Sequence, residues 1–153
     1  MKINATFYVL LVCTLLLNSF LFSQTNKMIT LEVDTENINQ DNIEEMATFG
    51  QPSETPNRDF TLEVENGDVI IWQGRATQAS GGLVYIKLFK HEDGVQLLGT
   101  GRIKDTNNAG VIVGKVQNGE SGQMEKYSIR FEVRKRGSQT WETFEIDPKL
   151  QML

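Results

Sequence analysis

His91 is the only histidine of the 153-residue chain. It lies in the segment Phe89-Lys90-His91-Glu92-Asp93-Gly94, where a strand is predicted to run into a turn. A zinc site usually needs several nitrogen or sulfur ligands, and adjacent acidic residues in a turn rarely converge on one ion. We therefore interpret His91 as a loop residue, and we assign no metal site and no cofactor.

Hydrolysis would need His91 to meet a nucleophile or two carboxylates to meet in a cleft. The serine in Gly119-Glu120-Ser121-Gly122-Gln123 has the wrong spacing for a G-x-S-x-G nucleophile elbow. A triad of His91 with another serine stays open, because triad members are scattered along a chain. Most of the 20 acidic residues, such as Glu63 and Glu132, fall at the polar positions of alternating strands. No catalytic residue is assigned.

The segment Asp105-Thr106-Asn107-Asn108-Ala109-Gly110 bears a faint similarity to a calcium loop. Ala109 and Val116 stand where such a loop has ligands, and the second of them replaces the bidentate glutamate. We interpret the segment as a loop rich in turn-forming residues.

Aromatic side chains that miss the core are the best candidates for binding. Trp72, Trp141 and Tyr85 are large flat groups of the type that stack on sugar rings or anchor protein interfaces. Arg134 is predicted to lie beside Trp141 and adds hydrogen-bond donors. The alternative is that these aromatics pack in the core of the second sheet.

Two predicted hairpins must position these side chains. In residues 60–73 the centre is Asn66-Gly67, a strong signal for a type I′ turn, and the pairing that follows turns Trp72 away from the more apolar face. In the last hairpin, apolar matching leaves residues 136–139 as a four-residue loop. Its predicted pairs are Ile129 with Ile146, Phe131 with Phe144, Arg130 with Glu145, Glu132 with Thr143, and Arg134 with Trp141. The last pair suits a cation–π contact worth about 0.5 to 1 kcal/mol.

The chain from residue 60 onward alternates short strand patterns with glycine, asparagine and aspartate. The predicted strands are 60–65, 69–73, 83–90, 95–98, 111–116, 126–134 and 140–146, with an earlier strand at 28–33. A short helix within 41–50 and a solvated linker are equally compatible with the polar segment 34–59. We expect an all-β domain, a single antiparallel β-sandwich of about seven to eight strands, preceded by a polar linker.

The segment Val64-Glu65-Asn66-Gly67-Asp68-Val69-Ile70-Ile71-Trp72 resembles the turn and strand near the start of cupredoxin-like and immunoglobulin-like sandwiches. The resemblance implies a sandwich, and it implies that residues 60–73 could cross between sheets and so bury Trp72. Blue-copper members use two histidines, a cysteine and an axial methionine, a set that this chain does not offer after its first 23 residues.

The first residues have the pattern of an export signal. Lys2 precedes an apolar stretch from Phe7 to Leu17, which is shorter than the roughly 18 to 20 residues of a membrane-spanning helix. We expect a signal peptide at 1–23 with cleavage near Ser23, then an N-terminal strand and polar linker at 24–59 and the β-sandwich domain at 60–153. Cleavage would remove Lys2 and the only cysteine, Cys13, and leave 14 of the 15 basic residues against 20 acidic ones.

These features together favour a secreted or periplasmic, non-catalytic binding module. The acidic balance disfavours nucleic acid, and no membrane insertion is expected after cleavage. The expected partner is an unknown extracellular or periplasmic protein or glycan, bound through Trp141, Arg134, Trp72 and Tyr85. The alternatives are a small hydrolase that uses His91 or a carboxylate pair, and a structural or assembly component that pairs through an edge strand at 28–33 or 140–146.

Overall fold

The computed structural model of the protein describes residues 25–153. This part of the chain is nearly all β, as predicted, and its ten strands form two sheets packed face to face. The prediction of a single antiparallel sandwich of seven to eight strands is wrong, because both sheets mix parallel and antiparallel pairs. The predicted signal peptide at 1–23 lies outside the described residues.

The elements follow one another in a simple order along the chain. The strands are β1 (Asn26–Val33), β2 (Ala47–Thr48), β3 (Thr61–Val64), β4 (Val69–Ala76), β5 (Leu83–Gly94), β6 (Arg102–Lys104), β7 (Val111–Lys115), β8 (Met124–Arg134), β9 (Glu142–Ile146) and β10 (Lys149–Met152). Helix α1 (Ile43–Met46) precedes β2, and a 3₁₀ turn (Asn57–Asp59) precedes β3. No helix of residues 25–153 is long and apolar enough to cross a membrane.

Each sheet contains one parallel pair. The first sheet has the order β2-β1-β4-β7, with β1 parallel to β4. The second has the order β3-β10-β8-β5-β6, with β3 parallel to β10. Strand β8 is 11 residues long, so β10 pairs with its beginning and β9 with its end. Strands β5, β8 and β9 therefore lie side by side; β5 carries Tyr85, β8 carries Arg134, and Trp141 immediately precedes β9.

The predicted hairpin over residues 60–73 is wrong. Gly67 does adopt the positive φ of a tight turn, at 94°. The strands that flank this turn, however, belong to different sheets, β3 to the second and β4 to the first. Buried Asp68 explains the divergence: its carboxylate accepts a hydrogen bond from the Glu65 amide at 2.9 Å and pairs with Lys27 of β1 at 3.1 Å. The turn is thus tied to β1 rather than to a hairpin partner.

Because of this crossing, Trp72 lies in the core between the sheets. Only 1% of its surface is exposed, and its ring contacts those of Phe89 and Tyr127 with centroid distances of 5.3 and 5.9 Å. Its indole nitrogen donates a hydrogen bond to the Tyr127 hydroxyl at 3.3 Å. The prediction that Trp72 faces away from the apolar side is therefore corrected, and the crossing implied by the sandwich resemblance is what the structure shows.

Two further segments differ from the sequence-based expectation. Residues 95–98 form a loop instead of a strand, although Leu97 and Leu98 are buried. The polar segment 34–59 packs on the sheets, because Ile38 and Ala47 belong to the core. Within it the predicted helix is reduced to the four residues of α1.

Candidate functional site

The outer face of the second sheet brings three of the four predicted binding residues together. The predicted register of the last hairpin is confirmed, with Phe131 opposite Phe144 and Ile129 opposite Ile146. This register carries Trp141, which immediately precedes β9, to the level of Arg134 at the end of β8. On the other side of β8, strand β5 contributes a third member of the group.

Tyr85, Arg134 and Trp141 form a cluster on this face, in which Trp141 is exposed and the other two are half-buried. The ring centroids of Tyr85 and Trp141 are 4.9 Å apart, with an angle of 43° between the rings. The Arg134 Cζ atom lies 5.1 Å from the centre of the Trp141 ring, in cation–π contact as predicted. Leu83 pairs with Arg134 and, like Trp141, keeps more than a third of its surface exposed. We call these four residues the aromatic patch.

A glycine behind Tyr85 holds this ring in position. Gly110 has a φ of +73°, and a Cβ atom there would lie 2.8 Å from Tyr85 Cδ1. The Asp105 carboxylate fixes the loop by accepting hydrogen bonds from the amides of Ala109 and Gly110 at 3.0 and 2.9 Å. The loop between β6 and β7 therefore packs against β5 beside the Tyr85 ring.

The same loop already holds a cation, the ammonium group of Lys87. Its Nζ atom lies 2.7 Å from Asn108 Oδ1 and 3.4 Å from Asp105 Oδ2. These are oxygens that a calcium ion would need. Among residues 25–153, no group of three or more histidine, cysteine or acidic residues is placed to hold a metal ion. Asp105 therefore holds this loop through the amides of Ala109 and Gly110 and through Lys87.

Polar side chains continue the outer face next to the patch. Glu132 of β8 lies between Tyr85 of β5 and Thr143 of β9 in the register of the sheet. The row beside Arg134 and Trp141 thus offers a carboxylate acceptor and a hydroxyl group. Trp72 takes no part in this surface, since it is buried between the sheets.

His91 lies within β5, opposite Tyr127 of β8, so the prediction that it is a loop residue is wrong. Its side chain is paired with a buried acid that the sequence analysis did not single out. Its Nδ1 atom lies 2.9 Å from Oε1 of Glu125, and Glu125 has no exposed surface. The other carboxylate oxygen of Glu125 accepts a hydrogen bond from the Leu97 amide at 2.8 Å. Burial raises the pKa of Glu125, and the hydrogen bonds from His91 and the amide only partly oppose that effect. Both oxygens are therefore committed to holding the chain together.

A sequence signal for Glu125 did exist. The odd-numbered residues of β8 from Tyr127 to Val133 are apolar and face the core. Extending this alternation by one step places Glu125 on the inward face. The predicted strand began at residue 126, one position too late to include it.

Comparison with known proteins gives a likeness of fold. No family model matches the sequence, and no curated protein matches it. Among solved structures, the inclusion body protein PixA from Burkholderia cenocepacia superposes with a TM-score of 0.55 at 12% identity, covering 88% of this chain and 100% of that one.

Two further structures superpose less well. The cysteine protease inhibitor EhICP2 from Entamoeba histolytica has a TM-score of 0.30 at 11% identity, covering 86% of this chain and 98% of that one. The N-terminal domain of phage TP901-1 ORF48 has a TM-score of 0.31 at 14% identity, covering 84% and 98%.

Proposed function

We propose that this chain is a non-catalytic binding module that acts as a secreted or periplasmic protein and contacts its ligand through the aromatic patch. One observation carries the proposal. Tyr85 of β5, Arg134 at the end of β8 and Trp141, just before β9, converge on the outer face of the second sheet, with rings 4.9 Å apart and a guanidinium group 5.1 Å from the indole.

The core does not require this cluster. Between the sheets, Trp72, Phe89 and Tyr127 already form a buried aromatic group, which the fold needs for its stability. The aromatic patch lies on the opposite face of the second sheet, where large rings stabilise the isolated protein little. Tryptophan, tyrosine and arginine are also the residues that contribute most to binding energy at protein interfaces.

One feature of the sequence supports the proposed location. The stretch from Phe7 to Leu17, after Lys2, has the pattern of an export signal. The only cysteine, Cys13, lies within that stretch, so the domain that follows forms no disulfide and relies on its core for stability. Detecting cleavage near Ser23 by mass spectrometry of the protein from its native cells would test this part of the proposal.

The binding site is tested by replacing Trp141 with alanine. Wild-type protein is applied to glycan arrays and used in pull-downs from the extracellular fraction, and each ligand found is then titrated against the variant. We expect the affinity of Trp141→Ala to fall about tenfold or more. Val113→Ala is the matched control, because Val113 is an exposed apolar residue on the other sheet, with 52% of its surface accessible. Equal affinity of the two variants would refute the role of the patch.

A small hydrolase remains the second candidate, on the strength of the contact between His91 and Glu125. A carboxylate that orients a histidine is a recurring part of hydrolytic sites. The hydroxyl of nearby Ser128, however, is engaged by Glu92 at 2.8 Å. We therefore expect wild type and His91→Gln to show the same absence of turnover in assays with ester, amide and glycoside substrates. Turnover by wild type that is lost in His91→Gln would favour the hydrolase.

A further inference from the structure

A small cavity lies beside the aromatic patch at the end of the second sheet. It has a volume of about 200 Å³. Its lining consists of residues 81–83, Arg134 at the end of β8, and residues 135–139 of the turn that follows. Leu83 and Arg134 belong to both the cavity and the patch. A ligand on the Trp141 ring can therefore extend a substituent into this cavity, which we call the basic cavity.

Its charge is unusual for this protein. Three consecutive cations, Arg134, Lys135 and Arg136, line it, and no acidic side chain does. Within residues 25–153, none of the three forms an ion pair with a carboxylate, whereas most other cations do. A positive site of this kind stands out in a chain whose net charge is −5.

An acid close to the cavity, Glu36, forms hydrogen bonds with the turn. Glu36 accepts a hydrogen bond from the Arg136 amide through its carboxylate at 2.9 Å, and its carbonyl oxygen accepts one from Lys135 Nζ at 3.1 Å. These contacts fix the turn against the segment after β1. Among the described residues, the guanidinium groups of Arg134 and Arg136 have no carboxylate partner.

We propose that the basic cavity binds the carboxylate or sulfate group of an acidic glycan, while a neighbouring sugar ring packs on Trp141. This inference rests on the proposed binding function and adds the class of ligand. Guanidinium groups bind carboxylate and sulfate oxygens through paired hydrogen bonds, and aromatic rings bind the apolar faces of sugars. Glu132 and Thr143, in the adjacent row, are placed to bind hydroxyl groups.

The acidic surface elsewhere does not prevent this binding. At physiological ionic strength, charges more than about 8 Å away are largely screened, so the field at the cavity is set by nearby groups, chiefly its three cations and the Glu36 carboxylate. The same screening makes the attraction weaken as salt is added. A ligand held by sugar stacking alone would show little salt dependence.

The test compares two double variants with the same loss of charge. Lys135→Gln with Arg136→Gln removes two cations of the basic cavity. Arg102→Gln with Lys104→Gln removes two exposed cations of β6 that form no ion pair with described residues. Each protein is titrated with oligogalacturonate, a sulfated oligosaccharide, an uncharged oligosaccharide of equal length and hexaglutamate, at low and high salt, and its thermal midpoint is measured.

We expect the cavity variant to bind one of the two acidic oligosaccharides about tenfold more weakly than wild type, with a smaller salt dependence. The β6 control and the thermal midpoints should stay unchanged, and the stronger of the two acidic probes identifies the anionic group. The inference would be overturned if the uncharged and acidic oligosaccharides bound equally well, or if the two double variants bound the acidic oligosaccharides with equal affinity. Either result would leave the proposed function intact. Preference for hexaglutamate over the glycans would also overturn the inference. If both double variants and Trp141→Ala all bound as tightly as wild type, both proposals would be refuted.

Discussion

The Nδ1 atom of His91 lies 2.9 Å from Oε1 of Glu125, a carboxylate with no exposed surface. This pair joins β5 to β8 within the second sheet, and the second oxygen of Glu125 holds the Leu97 amide. The contact therefore ties the loop after β5 to β8, beside the backbone hydrogen bond from the Val95 amide to the Met124 carbonyl. Its strength should depend on the charge of the carboxyl group.

The contribution of Glu125 to the stability of the protein should fall as the pH rises above the ordinary pKa of this group. Burial raises that pKa above its ordinary value of 4.5, so between the two values the folded state binds more protons than the unfolded state. Below pH 4.5 the carboxyl group is protonated in both states and this cost disappears. Urea unfolding from pH 4 to 7 should show Glu125→Gln gaining stability relative to wild type as the pH rises. A difference that stays constant with pH would contradict the raised pKa.

Removing the Glu125 side chain altogether should be costly at any pH. Glu125→Ala removes the carboxylate that accepts the Leu97 amide and the partner of His91, and it opens a cavity at a fully buried position, while the Leu97 amide keeps the Val95 carbonyl at 2.9 Å. We expect a loss of about 1 to 3 kcal/mol in the free energy of unfolding. The matched control is Glu145→Ala, since Glu145 pairs with Arg130 at the surface, where such ion pairs contribute little. Similar losses in the two variants would show that the buried contact is not structural.

The two tryptophans should respond differently to truncation. Trp72→Ala removes the centre of the core and should lower the free energy of unfolding by about 3 to 5 kcal/mol. Trp141→Ala removes a side chain that is 36% exposed and should cost about 1 kcal/mol. Urea unfolding monitored by circular dichroism measures both. A comparable loss in Trp141→Ala would assign that residue to the fold and not to binding.

Gly110 should control the aromatic patch without being part of it. In Gly110→Ala the new methyl group would lie 2.8 Å from Tyr85 Cδ1, so the Tyr85 ring must move and its contact with Trp141 must change. Gly122→Ala is the control, because Gly122 has a similar φ of +82° with open space around it. We expect the first variant alone to shift the fluorescence of Trp141, measured in a Trp72→Phe background. Equal spectra for the two variants would mean that the ring is not held by Gly110.

The sequence allowed accurate prediction where local patterns decide the structure. The register of β8 and β9 follows from matching two apolar pairs and the charged pair Arg130–Glu145, and a shift by one residue would reverse every side chain. That register was sufficient to bring Arg134 to Trp141.

The parallel pairs could not be predicted in the same way. Strands β1 and β4 are separated by 35 residues that contain strands β2 and β3, helix α1 and a 3₁₀ turn, and nothing in either strand specifies its neighbour. The position of Trp72 depended on this pairing, because Asn66-Gly67 forms a tight turn whether or not its strands stay together. Non-local packing, which a single sequence does not display, therefore determined which aromatic residues reached the surface.

Strand β1 has one edge that is open over most of its length, and this edge bears on the assembly alternative. The Val33 carbonyl accepts a hydrogen bond from the Thr77 amide on the β4 side, whereas the Asp34 amide donates to Met46 on the β2 side. Odd-numbered residues of β1 therefore bond to β4, and even-numbered ones point to the opposite edge. There, among the described residues, β2 pairs only with residues 32–33.

Proline substitutions at adjacent positions should separate the two edges of β1. Ile29→Pro removes an amide that faces β4 and should cost about 3 kcal/mol or more, whereas Met28→Pro removes an amide at the open edge and should cost much less. Thermal unfolding measures this difference, and equal losses would contradict the assigned orientation. Light scattering over a range of concentrations then tests assembly with the stable variant. We expect wild type and Met28→Pro to have the same mass at every concentration, and a larger wild-type species that Met28→Pro abolishes would favour assembly through this edge.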